Sequence, residues 1–472
     1  MTKGEIVIVG NNVAAIIAAL ETGKQRKITL INPTNSWGGH FGGLQDDRNK
    51  YDIGMNLFEF SSFQEQSTDI LSYNPDKKND AARFFQHIEQ YIRQHISLEP
   101  VPCPQVFYRG KYYSDFIISN KLDVLAALSQ EELANVQAEL AGRALSDHHP
   151  NHASRKTVDA QHFLDKMYRE VSEYNHGTII HKEILEPLIQ KTVNLNSERM
   201  PALVHRLAWL PLYYPDTLRD YILKGCNIAS STTFHYPSKA YFAEIIDIWL
   251  QQIQSIQNIT IIQEKIKKIS SNSNNMLLKL ETAEVSTSQL VWCLDPSTFC
   301  SLTGIDSAAN TDKTSIALLY GEIPLKYLRE VFSILNVPEK DFLIYRVSNQ
   351  TATAGHINAP IHRINCEINS DYAATSGVID ESAIIAKAEE DLVQLNILSD
   401  KSIAKRLKLK VFKNALNQPT QNNIESFTRK RRTIVDSFAN VQLIGASSSY
   451  FSSSFNDQVV QGLKISNKYL EE

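Results

Sequence analysis

The sequence predicts an α/β protein of more than one lobe, and three observations carry that expectation. The chain opens on a short apolar run, Ile6–Val9, then Gly10, then a run of small apolar residues from Val13 to Leu20 (VAAIIAAL), then a second apolar run, Ile28–Ile31. Continuous apolar strands of this length suit a parallel sheet covered on both faces. Strand, helix and strand within about 30 residues is the size of a mononucleotide-binding unit. A long helical stretch from Leu122 to Leu223, and the later runs Ser315–Tyr320, Phe342–Val347 and Arg363–Ile368, call for further layers. At 472 residues the chain also exceeds what one hydrophobic core fills.

The remaining elements follow in order. Ala81–Ile96 places Phe84, Phe85, Ile88, Tyr91 and Ile92 on one helical face. Val106–Tyr113 (VFYRGKYY) reads as a hairpin turning at Arg109-Gly110. Ser129 with Glu132 is a capping box, and Asp147–His152 (DHHPNH) is a polar break. Ala240–Ile256 is an amphipathic helix. It leads into strands Ile259–Ile262 and Ile266–Ile269, a turn at Ser270–Asn275, and strands Met276–Leu280 and Leu290–Cys293 that return to the first sheet. Val441–Ile444 is a last strand ended by Gly445, and Asn456–Leu470 the final helix.

Composition excludes several classes. The net charge of −4 implies no general attraction to nucleic acid or to an anionic membrane. The five cysteines are odd in number and scattered, with no CxxC pair, so they read as reduced thiols in a cytoplasmic protein. No apolar run reaches the ~18–20 residues of a membrane span, and Met1–Ile6 leads straight into a strand, so no signal peptide is expected. The histidines at 148, 149 and 152 are too closely spaced around Pro150 for a metal site, and no metal is expected.

The nucleotide-binding segment carries the functional signal. A phosphate-binding turn needs close backbone approach and helix N–H donors. The stretch Gly10-Asn11-Asn12-Val13-Ala14-Ala15 keeps only the first glycine of the G-x-G-x-x-G pattern. Strand two ends at Asn32, and Gly38-Gly39 follow six residues later, then Asp52-Ile53-Gly54. This arrangement resembles the FAD-dependent amine-oxidase-like superfamily. There an acidic residue ends strand two and holds the adenosine ribose, and a Gly-Gly pair passes beside the FAD pyrophosphate. Further segments are similar in order. Phe234-His235-Tyr236-Pro237 resembles the "YP-x-G-G" entry to a long helix, with Ser238-Lys239-Ala240 in place of the glycines. Ile266 stands where a backbone group meets the adenine, and Val291–Pro296 resembles the strand closing the FAD domain. Leu443-Ile444-Gly445 with Asn456-Asp457-Gln458-Val459-Val460 resembles the closing motif, especially the "N-M-D-Q-V" segment of UDP-galactopyranose mutases, although Ala446 replaces the usual Asp or Arg. Glu183–Lys191 (EILEPLIQK) is similar to a segment of protoporphyrinogen oxidases and those mutases.

The resemblance implies FAD as cofactor and a Rossmann-type FAD-binding domain built from discontinuous segments, 1–80, 225–310 and 430–472. It implies a helical lobe at 81–224 and a substrate domain with a second sheet at 311–429. Cofactor contacts are expected from Gly10, Asn12, Val13, Ala14, Asn32, Gly38, Gly39, Ile266, Gly445, Asn456, Gln458 and Val459. Catalytic candidates are His40 beside the Gly-Gly pair, Arg346 and Arg363 on the second sheet, and Tyr450 between the last strand and helix. A guanidinium fork suits a diphosphate, so a nucleotide sugar is one substrate class the two arginines allow. The alternative for each arginine is an ion-paired sheet residue. The run Arg429–Arg432 reads as a solvated edge. Three functions stay open: an FAD-dependent oxidoreductase of a small amine, alcohol or sugar-linked substrate, a redox-neutral nucleotide-sugar mutase, and a non-catalytic relative that acts as a binding partner. The first is preferred as the commonest activity of the superfamily, the strand arginines and Asn456–Val460 keep the second close, and the third rests on the missing glycines and on Asn32.

Overall fold

A computed structural model of the chain describes residues 5–471 apart from 47, 62–65, 78–79, 103, 119–120, 142, 144–165, 214, 226–231, 273–274 and 306–310. The polar break at Asp147–His152 lies outside the described residues. The chain divides into two compact units. The first takes Met1–Leu98, Thr232–Asn310 and Ile424–Glu472, and the second takes Glu99–Ser231 and Thr311–Asn423.

The first unit is built on a five-stranded parallel sheet. Its order is Ile259–Ile262, Ile28–Ile31, Ile6–Val9, Gln289–Trp292, Val441–Leu443. Ile6–Val9 is wholly buried, as a strand paired on both edges and covered on both faces must be. The helix Val13–Gly23 packs against the final helix, Phe455–Glu471. Its small residues allow this. At Gly462 a Cβ would stand 2.7 Å from Ile17 Cβ and 3.0 Å from the Ala14 carbonyl. On the other side, Val7, Val9, Ile31, Leu290 and Trp292 share a core with Ile269, Met276 and Leu278. These last come from a small antiparallel sheet, Ile266–Asn272, Asn275–Leu280 and Glu284–Thr287.

Some boundaries differ from expectation. The turn at Ser270–Asn275 is shorter, because strand pairing continues through Ser271↔Met276 to Asn272↔Asn275. Polar side chains on an exposed ladder do not interrupt backbone pairing. The helix expected from Ala81 begins as a 3-10 turn, Asp80–Phe84, before the α-helix Phe85–Arg93. The helix expected from Ala240 begins at Glu244, because Ala240 has φ 62 and breaks it. The run Arg429–Arg432 lies within the helix Gln421–Ser437, where Arg429 and Arg432 are exposed and the other two residues are not. Helical periodicity buries Lys430, whose Nζ donates to Ser297 Oγ at 3.1 Å, and sets Arg431 3.2 Å from Asp76.

The second unit holds a seven-stranded sheet ordered Lys408–Asn417, Lys313–Pro324, Ile361–Asn369, Ile344–Asn349, Ile334–Asn336, Gln105–Tyr108, Lys111–Ser114. Its pairings are antiparallel except that of Ile334–Asn336 with Gln105–Tyr108. Arg109 and Gly110 both take positive φ, 50 and 76, as a tight two-residue hairpin turn requires. One face, with Leu319, Val347, Ile364, Cys366 and Ile368, packs on Ile384, Ala388 and Leu392 of the helix Glu381–Gln394. Period-two alternation then sends Arg363, Asn365 and Glu367 to the opposite face. The capping box forms in both directions: Glu132 N–H donates to Ser129 Oγ (3.2 Å), and Ser129 N–H donates to Glu132 Oε2 (2.7 Å).

Candidate dinucleotide site

In the first unit the strand ends place glycine backbone around Asn11 and Asn12. Gly10 leaves the first strand with φ 148, and a Cβ there would meet Cys293 Cβ at 2.7 Å. Gly38 and Gly39 have φ 83 and 59, and Gly38 N–H donates to the Asn11 carbonyl at 2.5 Å. Gly445, at the end of the last strand, has φ 60, and a Cβ there would fall 2.4 Å from Asn12 Nδ2. Positive φ is nearly free for glycine and costly for other residues. These turns therefore bring the chain close to itself around Asn11 and Asn12, although most of the glycine pattern is absent.

Asn12 replaces a loop glycine, and its side chain is folded beneath the loop. Oδ1 accepts from Ala15 N–H (3.1 Å), so Asn12 is the N-cap of Val13–Gly23. Nδ2 donates to the Cys293 carbonyl (2.6 Å). The side chain occupies the volume that Gly445 leaves by having no Cβ. The amides of Val13 and Ala14, first in the helix, have no acceptor within it. They remain the donors available to an anion at the positive end of the helix.

Asn32 is wholly buried and committed to its own loop. Its Oδ1 accepts from Thr34 N–H (2.9 Å) and Thr34 Oγ1 (2.8 Å), and its Nδ2 donates to the Ser36 carbonyl (3.0 Å). The residue expected to meet a ribose therefore has little capacity left for one. Ile266 starts the small antiparallel sheet and packs on its core. Asp52 is the organiser of the turn after Pro237. Its carboxylate accepts from Tyr236 Oη and from Phe242 N–H (2.9 Å), across a turn in which Ala240 keeps the left-handed conformation natural to glycine. Beside it Phe58 stacks on Phe242 with centroids 4.4 Å apart, and Phe455 meets both rings edge-on at 5.1 and 5.0 Å.

Solvent reaches the His40 ring, yet surrounding protein desolvates it enough to lower its pKa to about 4. Tyr450 is half-buried, edge-on to Phe427 at 5.7 Å, and burial raises its pKa. Asn456 Nδ2 donates to the Glu59 carbonyl (2.7 Å) and Gln458 Nε2 to the Ser453 carbonyl (3.0 Å). Their amide oxygens, Asn456 Oδ1 and Gln458 Oε1, are buried without a partner among the described residues, and Val459 is core.

In the second unit Arg346 and Arg363 share the polar face of the sheet. A bulge between Ile344 and Arg346 turns both Tyr345 and Arg346 toward Glu367. Tyr345 Oη donates to Glu367 Oε2 (2.9 Å), and Arg346 Nη1 lies 3.6 Å from Oε1. Arg346 is therefore ion-paired, while its Nε and the nearby Ser348 Oγ are buried without a partner among the described residues. Arg363 is four register positions away, roughly 13 Å along the strand.

Several buried polar groups had no sequence signal because their partners are remote in the chain. Tyr73 meets Asp457 across 384 positions. Lys191 is fully buried, with Nζ on the carbonyls of Val337 (2.7 Å) and Glu339 (2.8 Å), and burial lowers its pKa to about 7. His176 accepts the Tyr213 N–H at Nε2 (2.8 Å) and so donates from Nδ1 to Ser172 Oγ (2.9 Å). Among the described residues there is no cluster of three or more His, Cys, Asp or Glu able to hold a metal, and no helix long and apolar enough to cross a membrane.

No family model matches the chain. No curated protein matches it either. Solved structures do. Reduced UDP-galactopyranose mutase superimposes with a TM-score of 0.72 at 13% identity, covering 99% of this chain and 96% of its own. An Exiguobacterium sp. 255-15 protein assigned as a protoporphyrinogen oxidase gives 0.67 at 14% identity, with complete coverage of both chains. Cyclohexylamine oxidase from Brevibacterium oxydans IH-35A gives 0.60 at 11%, covering 99% of this chain and all of its own. The chain is thus an α/β protein with a discontinuous Rossmann-type domain. Its fold, over its whole length, is that of the amine-oxidase-like flavoproteins.

Proposed function

We propose that the chain binds FAD in its first unit and is an oxidoreductase of a small amine, alcohol or sugar-linked substrate. The observation that carries the reading is the convergence of Gly10, Gly38, Gly39 and Gly445 on Asn11 and Asn12, ahead of the amides of Val13 and Ala14, which have no acceptor within their helix. The fit is good at the pyrophosphate. There these backbone groups would receive it, with Asn12 withdrawn beneath the loop. It is poorer at the ribose, where Asn32 is already bonded. Asn456 Oδ1 and Gln458 Oε1 are acceptors still wanting donors. When bound, the cofactor supplies two-electron oxidation of a carbon–hydrogen bond. The chain's own residues bind, orient and keep water out.

The polar face with Arg346, Ser348, Arg363 and Glu367 is the proposed substrate surface. It favours a hydroxylated or anionic substrate over an apolar amine. That composition, with the likeness to the mutase, supports the redox-neutral nucleotide-sugar reading as the second one. The pairing of Arg346 with Glu367 weighs against it, since a guanidinium already paired cannot give its whole fork to a diphosphate. Purification with acid release of bound nucleotide, followed by an absorption spectrum, tests the cofactor. Flavin bands with stoichiometric FAD support the reading, and a colourless protein that takes up no added FAD overturns it. Substrate-dependent bleaching under anaerobic conditions selects the oxidoreductase. Turnover that needs reductant without consuming it selects the mutase.

A further inference from the structure

Side-chain hydrogen bonds tie the first loop of the first unit to the end of its second strand, Ile28–Ile31. Asn11 Nδ2 donates to Thr34 Oγ1 (2.9 Å) and to the Ser36 carbonyl (3.1 Å). A carbonyl can only accept, so the second bond fixes which end of the Asn11 amide is nitrogen. Asn32 Nδ2 donates to the same Ser36 oxygen (3.0 Å). The two asparagines therefore stand side by side and share one carbonyl. The main chain of Asn11 is held as well, since its carbonyl accepts the Gly38 N–H (2.5 Å).

Among Asn11, Asn32 and Thr34, one side-chain acceptor has no donor. Asn32 Oδ1 has both lone pairs taken, by Thr34 N–H (2.9 Å) and by Thr34 Oγ1 (2.8 Å). Thr34 Oγ1, having given its proton to Asn32, accepts from Asn11 Nδ2 and, at 3.3 Å, from Ser36 N–H. Asn11 Oδ1 accepts no hydrogen bond among the described residues. Asn11 is half-buried, whereas Asn32 is sealed in.

We propose that Asn11 Oδ1, and not Asn32, is the acceptor for a hydroxyl of the adenosine ribose. This rests on the dinucleotide reading of the first unit. In dinucleotide-binding folds the ribose contact is an acid near the end of the second strand. Here the residue at that end is closed on its own loop, and the carboxamide beside it presents an oxygen with no protein donor. Thr34, Ser36 and Gly38 set the orientation of Asn11 before any ligand arrives, so little side-chain freedom is lost on binding. The acceptor is neutral, so its bond to a hydroxyl is weaker than that of a carboxylate. The contact thereby moves from the second strand to the loop that also leads to the amides of Val13 and Ala14.

Calorimetric titration of the full chain, freed of nucleotide, with ADP, 2′-deoxy-ADP and 3′-deoxy-ADP tests this. The native protein should bind ADP roughly 5-fold more tightly than one of the deoxy analogues. In Asn11→Ala that ratio should vanish. The ratio is the readout because a merely structural role of Asn11 would weaken all three ligands alike and leave it unchanged. Equal binding of the three by the native protein overturns the proposal, and so does a ratio that survives Asn11→Ala. Should that variant not fold, Asn11→Asp keeps an acceptor at the position and adds charge, so the ratio should widen. A ratio unchanged or narrowed there overturns the proposal. Failure of the dinucleotide reading looks different, because the native protein then takes up neither ADP nor FAD, and the ribose contact falls with it.

Discussion

Gly445→Ala tests the geometry of the dinucleotide loop most directly. The added methyl meets two obstacles. The first is conformational, since φ 60 costs a residue with a Cβ about 1–2 kcal/mol. The second is steric, because the methyl would stand 2.4 Å from Asn12 Nδ2 and 2.9 Å from Oδ1 and Cγ. Asn12 can yield only by giving up its bonds to Cys293 and Ala15, about 1 kcal/mol each, the second being the helix cap. The expected loss is therefore about 3–4 kcal/mol. Asn12→Ala alone should cost about 2 kcal/mol, since it loses the same two bonds. In the double variant the clash is gone and the bonds are lost only once. Its cost should equal that of Gly445→Ala alone, leaving a coupling of about 2 kcal/mol in a double-mutant cycle. Urea denaturation of the four proteins reads this. Strict additivity would falsify the claim that Asn12 fills the space Gly445 leaves.

Ala240→Gly should raise stability by about 1 kcal/mol, because it relieves a left-handed alanine; a lower midpoint in thermal or urea unfolding would refute this. Asn32→Asp should cost about 2 kcal/mol or more, because a buried carboxylate would face the Ser36 carbonyl in place of an amide donor; a urea midpoint equal to the native one would show that the loop is not held this way. His176 should stay neutral well into acid, since burial lowers its pKa to about 3 from 6.5. The unfolded ring protonates first, so its contribution to stability is full above about pH 6.5 and declines as pH falls toward 3. Imidazole NMR should show no titration of His176 near pH 6, and a midpoint there would contradict the burial.

The parts of the fold legible in the sequence are those fixed by local pattern. Ile6–Val9 and Ile28–Ile31 are read to the residue, because a fully buried strand must be apolar throughout. The Arg109-Gly110 turn and the Ser129–Glu132 box are equally local. Less legible was anything decided by a partner far along the chain. The start of the helix at Glu244 depends on a turn clamped by Asp52, some 190 positions away. The burial of Lys430 depends on Ser297, and a basic run read in isolation gave no hint of it. Spacing alone singles out Gly38 and Gly39, and both take positive φ. The Tyr73–Asp457 contact was not, because neither residue type nor spacing marks it.

The departures from the glycine pattern are therefore not equivalent losses. At Ala240 the backbone keeps the conformation of a glycine and bears its strain, held by the Asp52 carboxylate on either side of the turn. At Asn12 the side chain is accommodated by a missing Cβ on a strand from the other end of the chain, and it supplies the helix with a cap. Both substitutions preserve the path of the backbone, so the amides that would meet a pyrophosphate stay where the fold puts them. Asn32 is different in kind. Its hydrogen bonds close its own loop, and a group satisfied internally must lose those bonds before it can serve a ligand. Counting absent motif residues treats the three alike, whereas the geometry predicts a site intact at the phosphates and weakened at the ribose. A ligand bound on those terms is held mainly by backbone. Its affinity should then respond more to the seating of Gly445 than to the charge at position 32.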